Sequence, residues 1–322
     1  MQDGIAVIVC TYNGAARIEK TLEHLADQKF SAPISWEVIV VDNASTDHTG
    51  QLIDSFRNIF HERGVAFRTA TERKTGKIHA LTLGVSKISF SNFIICDDDN
   101  RLAADYVEKM YQRLNSDDKI GAVGGQSDPI SEKEIPSWFW STAGDYAVGK
   151  QGKHTGDVTV RGYLWGAGLG SKTRLFHEMY EGFPSLLTGR KESTLSAGED
   201  GEYCIRLVAK GYRLFYDEQL HFDHYIPPHR LTEDYRNAVI KGIQSSMDII
   251  DKYAEAISMR QKTTHRPLNR WRLNLVTPFR IWLTKSEIKK KRQRNKWQFL
   301  LPMEQTTDQD MQQIKKFMGI MR

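Results

Sequence analysis

Three consecutive carboxylates, Asp97, Asp98 and Asp99, directly follow the apolar run FIIC. Adjacent ionised carboxylates repel one another by about 4 kcal/mol per contacting pair at an effective dielectric constant near 20, so a cation is expected to offset the charge. Oxygen ligands of this kind suit Mg²⁺ or Mn²⁺, and such a cation would also hold a diphosphate. The alternative is a solvated acidic turn in which Asp99 or Asn100 caps the next helix.

A second acidic pair, Glu199 and Asp200, follows a glycine in SAGEDGEYCIRL and precedes a helical pattern. A carboxylate at this place could act as a general base on a hydroxyl nucleophile. Acidic residues in the first turn of a helix also interact favourably with the helix dipole without any catalytic role. Taken alone, the pair favours this second interpretation.

Three histidines, His221, His224 and His229, and Arg230 lie in HFDHYIPPHR, which we interpret as a proline-containing loop. Neutral imidazole can ligate a metal, and a guanidinium group can clamp a phosphate. A self-contained zinc site is disfavoured because nothing nearby supplies the usual fourth ligand. Loop histidines without a chemical role are an equally good interpretation.

Alternating apolar runs and helical patterns in the first hundred residues would position these groups. The patterns predict strands over 5–10, 36–42, 65–70 and 92–96, separated by helices over 17–28, around 52–56 and over 77–87. Crossovers of this length are typical of a parallel α/β sheet, in which ligands bind beyond the carboxyl ends of the strands. The polar residues Thr11 to Asn13, Asp42 to Asn43 and Asp97 to Asp99 are therefore expected to converge on one crevice.

The rest of the chain divides into two further regions. Residues 105–230 alternate short strand patterns with Trp- and Gly-rich loops, which predicts a second half built onto the same sheet begun by residues 1–104. Residues 231–322 form a C-terminal region. There, helical spacing places apolar or aromatic side chains at Tyr235, Val239, Ile243, Met247 and Ile250.

The C-terminal region carries the basic charge of the protein. The net charge of the 322 residues is +5, but residues 260–296 hold thirteen Lys or Arg and one Glu, or +12, which leaves 5 − 12 = −7 for the remainder. Tryptophans such as Trp271, Trp282 and Trp297 lie among these cations. This composition over 260–297 favours peripheral contact with an anionic membrane, at about 1 kcal/mol per cation near the surface. A solvated helix face is the alternative, and no nucleic-acid partner is expected.

The three cysteines, Cys10, Cys96 and Cys204, lack disulfide or metal-ligand spacing, so reduced thiols are expected. The sequence shows neither a secretory signal pattern nor the roughly 18 apolar residues that a membrane span needs. We therefore expect a cytoplasmic location, and the basic segment 260–297 favours docking at the inner face of the plasma membrane. The sequence also has no GxxxxGK[ST] phosphate loop and no GxSxG nucleophile elbow.

In their order and spacing, the motifs resemble those of bacterial inverting family 2 glycosyltransferases with the GT-A fold, over about residues 5–242. The resemblance is carried by VIVCTYNGAARIEKTL, VIVVDNASTDHT, GKIHALTLG, the DxD signature in CDDDN, the acidic motif GED and HYIPPHRLTEDY. Three positions depart from the family's pattern. Asn43 replaces its usual acidic residue, Ala44 its glycine and Thr82 its asparagine.

The resemblance implies an α/β GT-A fold, in which a Rossmann-like nucleotide-binding sheet is continuous with an acceptor-binding half and a helical, basic extension follows. The implied domains are 1–230, made of a nucleotide-sugar half (1–104) and an acceptor half (105–230), and 231–322. The implied activity is that of a metal-dependent hexosyltransferase in bacterial surface polysaccharide or glycolipid synthesis. Its donor would be a nucleotide-diphosphate-sugar, with a UDP-sugar favoured, and its acceptor a glycan or lipid-linked glycan.

The resemblance also implies roles for individual residues. Asp200 would be the catalytic base, and Asp99, Asp97 and His224 would hold Mn²⁺ or Mg²⁺. Separately from the resemblance, side-chain alternation along an extended chain places Asp98 on the opposite side, in a supporting role. The implied nucleotide-sugar-binding residues are Thr11, Tyr12, Asn13, Asp42, Asn43, Lys77, Asp97, Asp98, Glu199 and Arg230. The rival hypotheses are a nucleotidyltransferase and a non-catalytic protein that binds nucleotide or membrane.

Overall fold

The computed structural model describes residues 1–187, 198–265, 281 and 286–320, and its first half has the predicted alternation of strands and helices. These elements are β1 (Gln2–Thr11), α1 (Ile18–Ala26), β2 (Trp36–Asp42), α2 (Thr49–Ser55), α3 (Arg57–Glu62), β3 (Ala66–Thr71), α4 (Lys77–Ser86) and β4 (Phe90–Asp97). Most apolar residues of β1, β2 and β4 are buried, as expected for parallel strands covered on both faces.

The second half continues with shorter strands and then becomes helical. Its elements are β5 (Asn100–Leu102), α5 (Tyr106–Asn115), β6 (Ile120–Ile130), β7 (Gly156–Asp157), β8 (Gly170–Lys172), α6 (Thr173–Tyr180), α7 (Glu199–Ala209), β9 (Arg213–Tyr225), α8 (Glu233–His265), α9 (Glu287–Leu300) and α10 (Gln309–Phe317). Helix α8 therefore carries the predicted apolar spacing of residues 235–250.

Within the described residues, nine strands form one sheet in the order β3-β2-β1-β4-β8-β6-β9-β5, with β7 beside β9. Strands β3, β2, β1 and β4 are parallel, and β8 joins them to β6 through antiparallel pairing. The predicted continuity of the two halves is thus confirmed. The strand order reverses at β1, because β2 lies on one side of it and β4 on the other, and the crevice at such a switch point is where open α/β sheets bind ligands.

The hydrophobic core lies on both faces of this sheet. In β1, Ile5, Val7 and Val9 belong to a cluster with α1 and α5, whereas Ala6 and Ile8 belong to a cluster with α4, α6 and α7. Apolar residues of α8, α9 and α10 extend this second cluster. The C-terminal helices therefore pack against the same core as the sheet, and the proposed boundary near residue 230 stays a prediction.

The interpretation of the histidine segment as a loop was wrong for two of its three histidines. Strand β9 continues to Tyr225 because it pairs with β6 on one side and β5 on the other, which places His221 and His224 within a strand. The prolines follow only afterwards, and His229 lies in a 3₁₀ turn over Pro228–Arg230. The tertiary pairing thus overrides the turn signal that the prolines suggested.

The predicted membrane-binding segment 260–297 is described only in part, since residues 266–280 and 282–285 lie outside the described residues. In α9, Lys291 forms an ion pair with Asp248 of α8, and Lys296 lies 3.4 Å from Glu255. Some of the basic charge therefore faces acidic residues of the protein itself. Among the described helices, we find none with the length and apolar character that crossing a membrane would need.

Candidate active site

A cavity of about 660 Å³ opens at the carboxyl ends of β1 and β4. The strand register explains why polar residues meet there: Thr11 pairs with Asp42 and Cys10 with Asp97, so three strands end at one level. Most of the predicted site residues line this cavity, namely Thr11, Tyr12, Asn43, Lys77, Asp97, Asp98, Asp99, Glu199, Asp200, His224 and Arg230.

Asn13 and Asp42, which were also predicted to bind the nucleotide-sugar, make hydrogen bonds within the loops behind the cavity. The Asn13 side-chain oxygen accepts from the Thr46 backbone N–H at 2.8 Å, and Asp42 Oδ1 accepts from the Ser45 N–H at 2.9 Å. The first contact joins the loop after β1 to the loop after β2, and the second lies within the turn that follows β2. A role of Asn13 or Asp42 in direct binding stays a prediction.

Each carboxylate of the triplet has a different partner, and Asp97 forms an ion pair with the Lys77 ammonium group. Lys77 is the first residue of α4 and projects over the end of β4. Burial lowers the pKa of Lys77, but the carboxylates of Asp97 and Asp200 outweigh burial and hold its pKa above the usual value. The cavity therefore contains a lysine that stays charged at neutral pH.

Asp98 is buried and is held by Arg17 and Thr11. Arg17 donates from Nε at 3.1 Å and from Nη2 at 2.9 Å, and the Thr11 hydroxyl donates at 2.7 Å. A Cβ atom at Gly14 would collide with both Thr11 and Asp98, so only glycine fits beside this cluster. The chain turns at Asp98 instead of continuing as an extended strand, so the expectation that strand alternation sets its direction was wrong.

Asp99 lies between a histidine and an arginine. Its Oδ2 accepts a hydrogen bond from Arg230 Nη1 at 2.9 Å, and its Oδ1 lies 3.3 Å from His224 Nε2. The Tyr225 N–H also donates to the Asp99 carbonyl, so β9 fixes the position of His224 beside the turn. Burial alone would raise the pKa of Asp99, but His224 and then Arg230 outweigh it and hold the pKa well below its usual value.

The chemistry of Asp99 and His224 fits a divalent cation that is shared with a substrate. Two ligands at about 2.1 Å from an octahedral ion are about 3 Å apart, close to the observed 3.3 Å between Asp99 Oδ1 and His224 Nε2. His224 Nδ1 is buried, and no atom of the described part of the chain forms a hydrogen bond with it. In the described ranges, no three His, Cys, Asp or Glu side chains form a group that could hold a metal unaided. Asp97, Asp99 and His224 are thus not a closed cage, and phosphate oxygens and water would have to complete the coordination.

Asp200 also lines the cavity, in the first turn of α7, and its carboxylate helps to raise the pKa of Lys77. Its Oδ2 accepts from the Gly166 N–H at 2.5 Å, and its Oδ1 accepts from the Gly201 N–H at 3.1 Å. A Cβ atom at Gly166 would lie 3.1 Å from the Asp200 side chain, so a larger residue would crowd this contact. The two amides fix the orientation of the carboxylate. Gly166 is the first residue of GAGLGS, in one of the Gly-rich loops noted within residues 105–230, but the sequence did not identify its contact with Asp200.

The rest of the cavity lining near Asp200 is mainly apolar. Helix α8 contributes residues at helical spacing, and the loop before β8 contributes the exposed ring of Tyr163. The cavity-lining residues of α8 are Tyr235, Val239, Ile243, Ser246, Met247 and Ile250. We call this surface, with Gly166 and Asp200, the helix wall, and the surface of Thr11, Lys77, Asp97 to Asp99, His224 and Arg230 the strand wall.

Residues 6–160 match the family described as "Glycosyl transferase family 2". The chain is also similar to "Glycosyltransferase GlyG" of Streptococcus pneumoniae, with 26% identity over 148 residues, which are 46% of this chain and 47% of that protein. The chain thus spans about half the length of this curated relative.

Two solved structures share the fold. S. aureus TarS 1-349 in complex with UDP superposes with a TM-score of 0.53 at 17% identity, covering 92% of this chain and 90% of that one. The mannosyltransferase PcManGT from Pyrobaculum calidifontis, in complex with GDP-Man and Mn²⁺, gives a TM-score of 0.50 at 17% identity, covering 98% of this chain and 74% of that one. The chain therefore has a curled mixed sheet of the GT-A type, and its residues 6–160, just under half of the 322, match glycosyl transferase family 2.

Proposed function

We propose that this protein is a metal-dependent inverting glycosyltransferase that moves a sugar from a nucleotide-diphosphate-sugar to an acceptor hydroxyl. The observation that carries the proposal is the composition of one cavity. Its strand wall holds Lys77 and the Asp99–His224 pair, and its helix wall holds Asp200 in a fixed orientation. Positive charge for a leaving diphosphate and a carboxylate for an incoming hydroxyl thus line the same cavity.

In this proposal, the donor diphosphate binds along the strand wall. Lys77 and Arg230 would offset its charge, and Asp99 and His224 would hold Mn²⁺ or Mg²⁺ against its oxygens. A bound cation of this kind supplies Lewis-acid stabilisation of the charge on the leaving diphosphate. The exposed ring of Tyr12 at the edge of the cavity is available to stack on the nucleotide base.

Asp200 would take the proton of the acceptor hydroxyl. The acceptor oxygen would form its bond to the anomeric carbon as the bond from that carbon to the diphosphate oxygen breaks, which inverts the configuration. The hydrogen bonds from Gly166 and Gly201 orient the carboxylate, and an oriented base contributes about 10²- to 10⁴-fold to such a reaction. Glu199, the adjacent carboxylate in the same cavity, is proposed to contact the nucleotide-sugar.

The two structural neighbours support a nucleotide-sugar as the donor, since one was solved with UDP and the other with GDP-Man and Mn²⁺. We propose a UDP-sugar, and a glycan or lipid-linked glycan of a bacterial surface polysaccharide or glycolipid as the acceptor. The apolar helix wall supports an acceptor with an apolar portion close to the reacting hydroxyl.

The same proposal includes a cytoplasmic location at the inner face of the plasma membrane, with peripheral contact through residues 260–297. Flotation with liposomes that contain or lack anionic lipid tests this contact. Failure to bind anionic vesicles at low salt would remove the membrane from the proposal and leave the transferase reaction untouched.

The catalytic proposal is tested by titrating UDP, GDP and dTDP into the protein with and without Mn²⁺, followed by assays of a panel of nucleotide-sugars for hydrolysis and transfer. We expect one diphosphate to bind more tightly with Mn²⁺, and its sugar conjugate to turn over. Metal-dependent binding without any turnover would favour a non-catalytic nucleotide-binding protein. Release of pyrophosphate from a nucleoside triphosphate would favour a nucleotidyltransferase.

A further inference from the structure

Asn43 forms three hydrogen bonds with the segment that leads into α4. Its Nδ2 group donates to the Glu72 carbonyl at 3.0 Å and to the Lys74 carbonyl at 2.8 Å, and its Oδ1 accepts from the Gly76 N–H at 2.9 Å. Its own backbone N–H donates to the Thr11 carbonyl at 2.8 Å. The residue thus ties the ends of β1 and β2 to the loop 72–76.

The partners determine which way the amide points. Two carbonyl oxygens can only accept, and an N–H can only donate, so exchanging the nitrogen and oxygen of Asn43 would break all three bonds. The side chain is only 6% exposed. Both amide hydrogens are therefore already engaged with the backbone, and Oδ1 already accepts one of its two possible hydrogen bonds, so the side chain is committed to the loop 72–76.

An acidic residue would not fit the same loop. A carboxylate can accept from Gly76 but cannot donate to the carbonyls of Glu72 and Lys74, and its negative charge would face both oxygens. The loop would have to move away from position 43. The asparagine and the course of the loop 72–76 are therefore matched to each other.

The loop 72–76 leads directly into Lys77, the residue proposed to offset the charge of the diphosphate. Gly76, with φ +126°, directly precedes α4, and Lys77 begins the helix and pairs with Asp97. Thr75, Gly76 and Lys77 all line the cavity. Any displacement of the loop at Asn43 would therefore be passed on to the ammonium group of Lys77 within one or two residues.

We propose that Asn43 is a positioning residue for Lys77 and does not select the nucleotide base. The inference rests on the proposed function, because it assumes that a nucleoside diphosphate binds beside Lys77. According to this inference, recognition of the base does not depend on Asn43. Binding of the diphosphate does depend on Asn43, through the loop 72–76.

The test compares Asn43→Asp with wild type, using UDP, GDP, dTDP and UMP as titrants. We expect the dissociation constants of the three diphosphates to rise by about tenfold, the effect of roughly 1.4 kcal/mol from two lost hydrogen bonds, with their ratios unchanged. Binding of UMP should change less than twofold. In a Lys77→Ala background the substitution should have little further effect, since the two residues act in series. Asn115→Asp, which loses an exposed helix-end contact to Tyr111, is the matched control.

Hydrogen exchange supplies a readout that does not depend on any nucleotide. In Asn43→Ala, which removes all three bonds without adding charge, the Gly76 amide should exchange faster while the amides of β1 and β4 stay protected. This variant also replaces Asn43→Asp in the titrations if the latter does not fold.

Three results would overturn the inference. A change in the ratio of UDP to GDP affinity would show that Asn43 reads the base, and an effect that is fully additive with Lys77→Ala would show that it does not act through Lys77. Unchanged exchange of the Gly76 amide would show that the contact does not hold the loop. If wild type binds none of the diphosphates, the proposed function fails together with the inference, whereas normal binding with a shifted base ratio contradicts the inference alone.

Discussion

On the strand wall, Asp97, Asp98 and Asp99 each have a cationic partner, in Lys77, Arg17 and Arg230, and Asp99 also lies beside His224. On the helix wall, Asp200 is held by two backbone amides and surrounded mainly by apolar side chains. The first arrangement fixes many charges before any ligand arrives and suits a highly charged ligand. The second arrangement fixes one charge beside an apolar surface, which suits a ligand that binds through apolar contacts and complementary shape.

The difference teaches that the two walls depend on different kinds of residue. Removing one charge of an ion pair on the strand wall leaves the opposite charge without its partner, so the free energy of unfolding is expected to fall, whether or not ligand binding also changes. Removing an apolar side chain from the helix wall loses contact area and leaves the fold intact where the side chain is already exposed. Substitutions on either wall should therefore have separable effects on the donor and on the acceptor.

The largest effect should come from Asp200. Asn keeps an oxygen that can accept from Gly166 but cannot take up a proton at neutral pH, so Asp200→Asn should reduce the rate of sugar transfer by about 10³-fold. Binding of the donor nucleotide should stay within about twofold of wild type. Rates of transfer and titrations of UDP with Mn²⁺ measure the two quantities.

Glu199→Gln is the matched control, because this carboxylate precedes Asp200 in the same turn and lines the same cavity. Its effect on the transfer rate should be much smaller. A near wild-type rate for Asp200→Asn, with a large loss for Glu199→Gln, would assign the base to Glu199 instead.

The next effect concerns Asp99. Asp99→Ala removes one of the two side chains that fit a shared cation, so the gain in nucleotide affinity on adding Mn²⁺ should fall by about a hundredfold or disappear. Titration of the same nucleotide with Mn²⁺ and with chelator measures this gain. A metal-dependent gain equal to that of wild type would place the cation elsewhere.

Asp98→Ala sharpens this result within the same triplet. It leaves Arg17 with no carboxylate partner at a largely buried position, so we expect the free energy of unfolding to fall by about 3 kcal/mol. In the protein that remains folded, adding Mn²⁺ should still increase the affinity for the nucleotide. Urea unfolding followed by titration separates the two effects.

A smaller effect is expected from the helix wall. Met247 of α8 is 44% exposed and lines the cavity, so Met247→Gln should leave stability unchanged and raise the KM for the acceptor by about fivefold, through lost apolar contact worth about 1 kcal/mol. The affinity for UDP should not change. Ile59→Gln, on an exposed position of α3, is the control. Weaker UDP binding in Met247→Gln would break the separation of the two walls.

The ends of β1 and β4 in the strand wall were predictable from local patterns in the sequence, whereas most of the helix wall was not. Short apolar runs that end in polar residues predict parallel strands, and parallel strands bring their ends together, so local patterns sufficed to group Thr11 with Asp97 to Asp99. The helix wall joins Tyr163, Gly166 and Asp200 to α8 across many residues of chain. Periodicity predicted that α8 has an apolar face but contained no information about what that face covers.

The same distinction explains the errors. His224 reaches Asp99 because β9 pairs with β5 and β6, and pairing between distant strands overrides the local turn signal of the following prolines. Asn43 was recognised as a departure from the family's pattern. Its hydrogen bonds to the loop 72–76 depend on the course of a segment about thirty residues away, and composition cannot specify that course.

The smallest expected effect tests the other departure beside the strand wall, Ala44. This residue has φ +62°, in the left-handed region where an L-residue with a Cβ atom pays roughly 1 kcal/mol or more and glycine does not. Glycine also gains conformational entropy in the unfolded chain, which opposes the benefit by about 0.4–1 kcal/mol. We therefore expect Ala44→Gly to change the free energy of unfolding by between zero and about +1 kcal/mol, measured in urea, with UDP affinity unchanged.

Ala15→Gly, at a position with ordinary negative φ, has the entropic cost without the relief of strain and should be destabilising. If both substitutions destabilise equally, Ala44 is not strained, and the loop after β2 accommodates alanine as readily as the family's glycine.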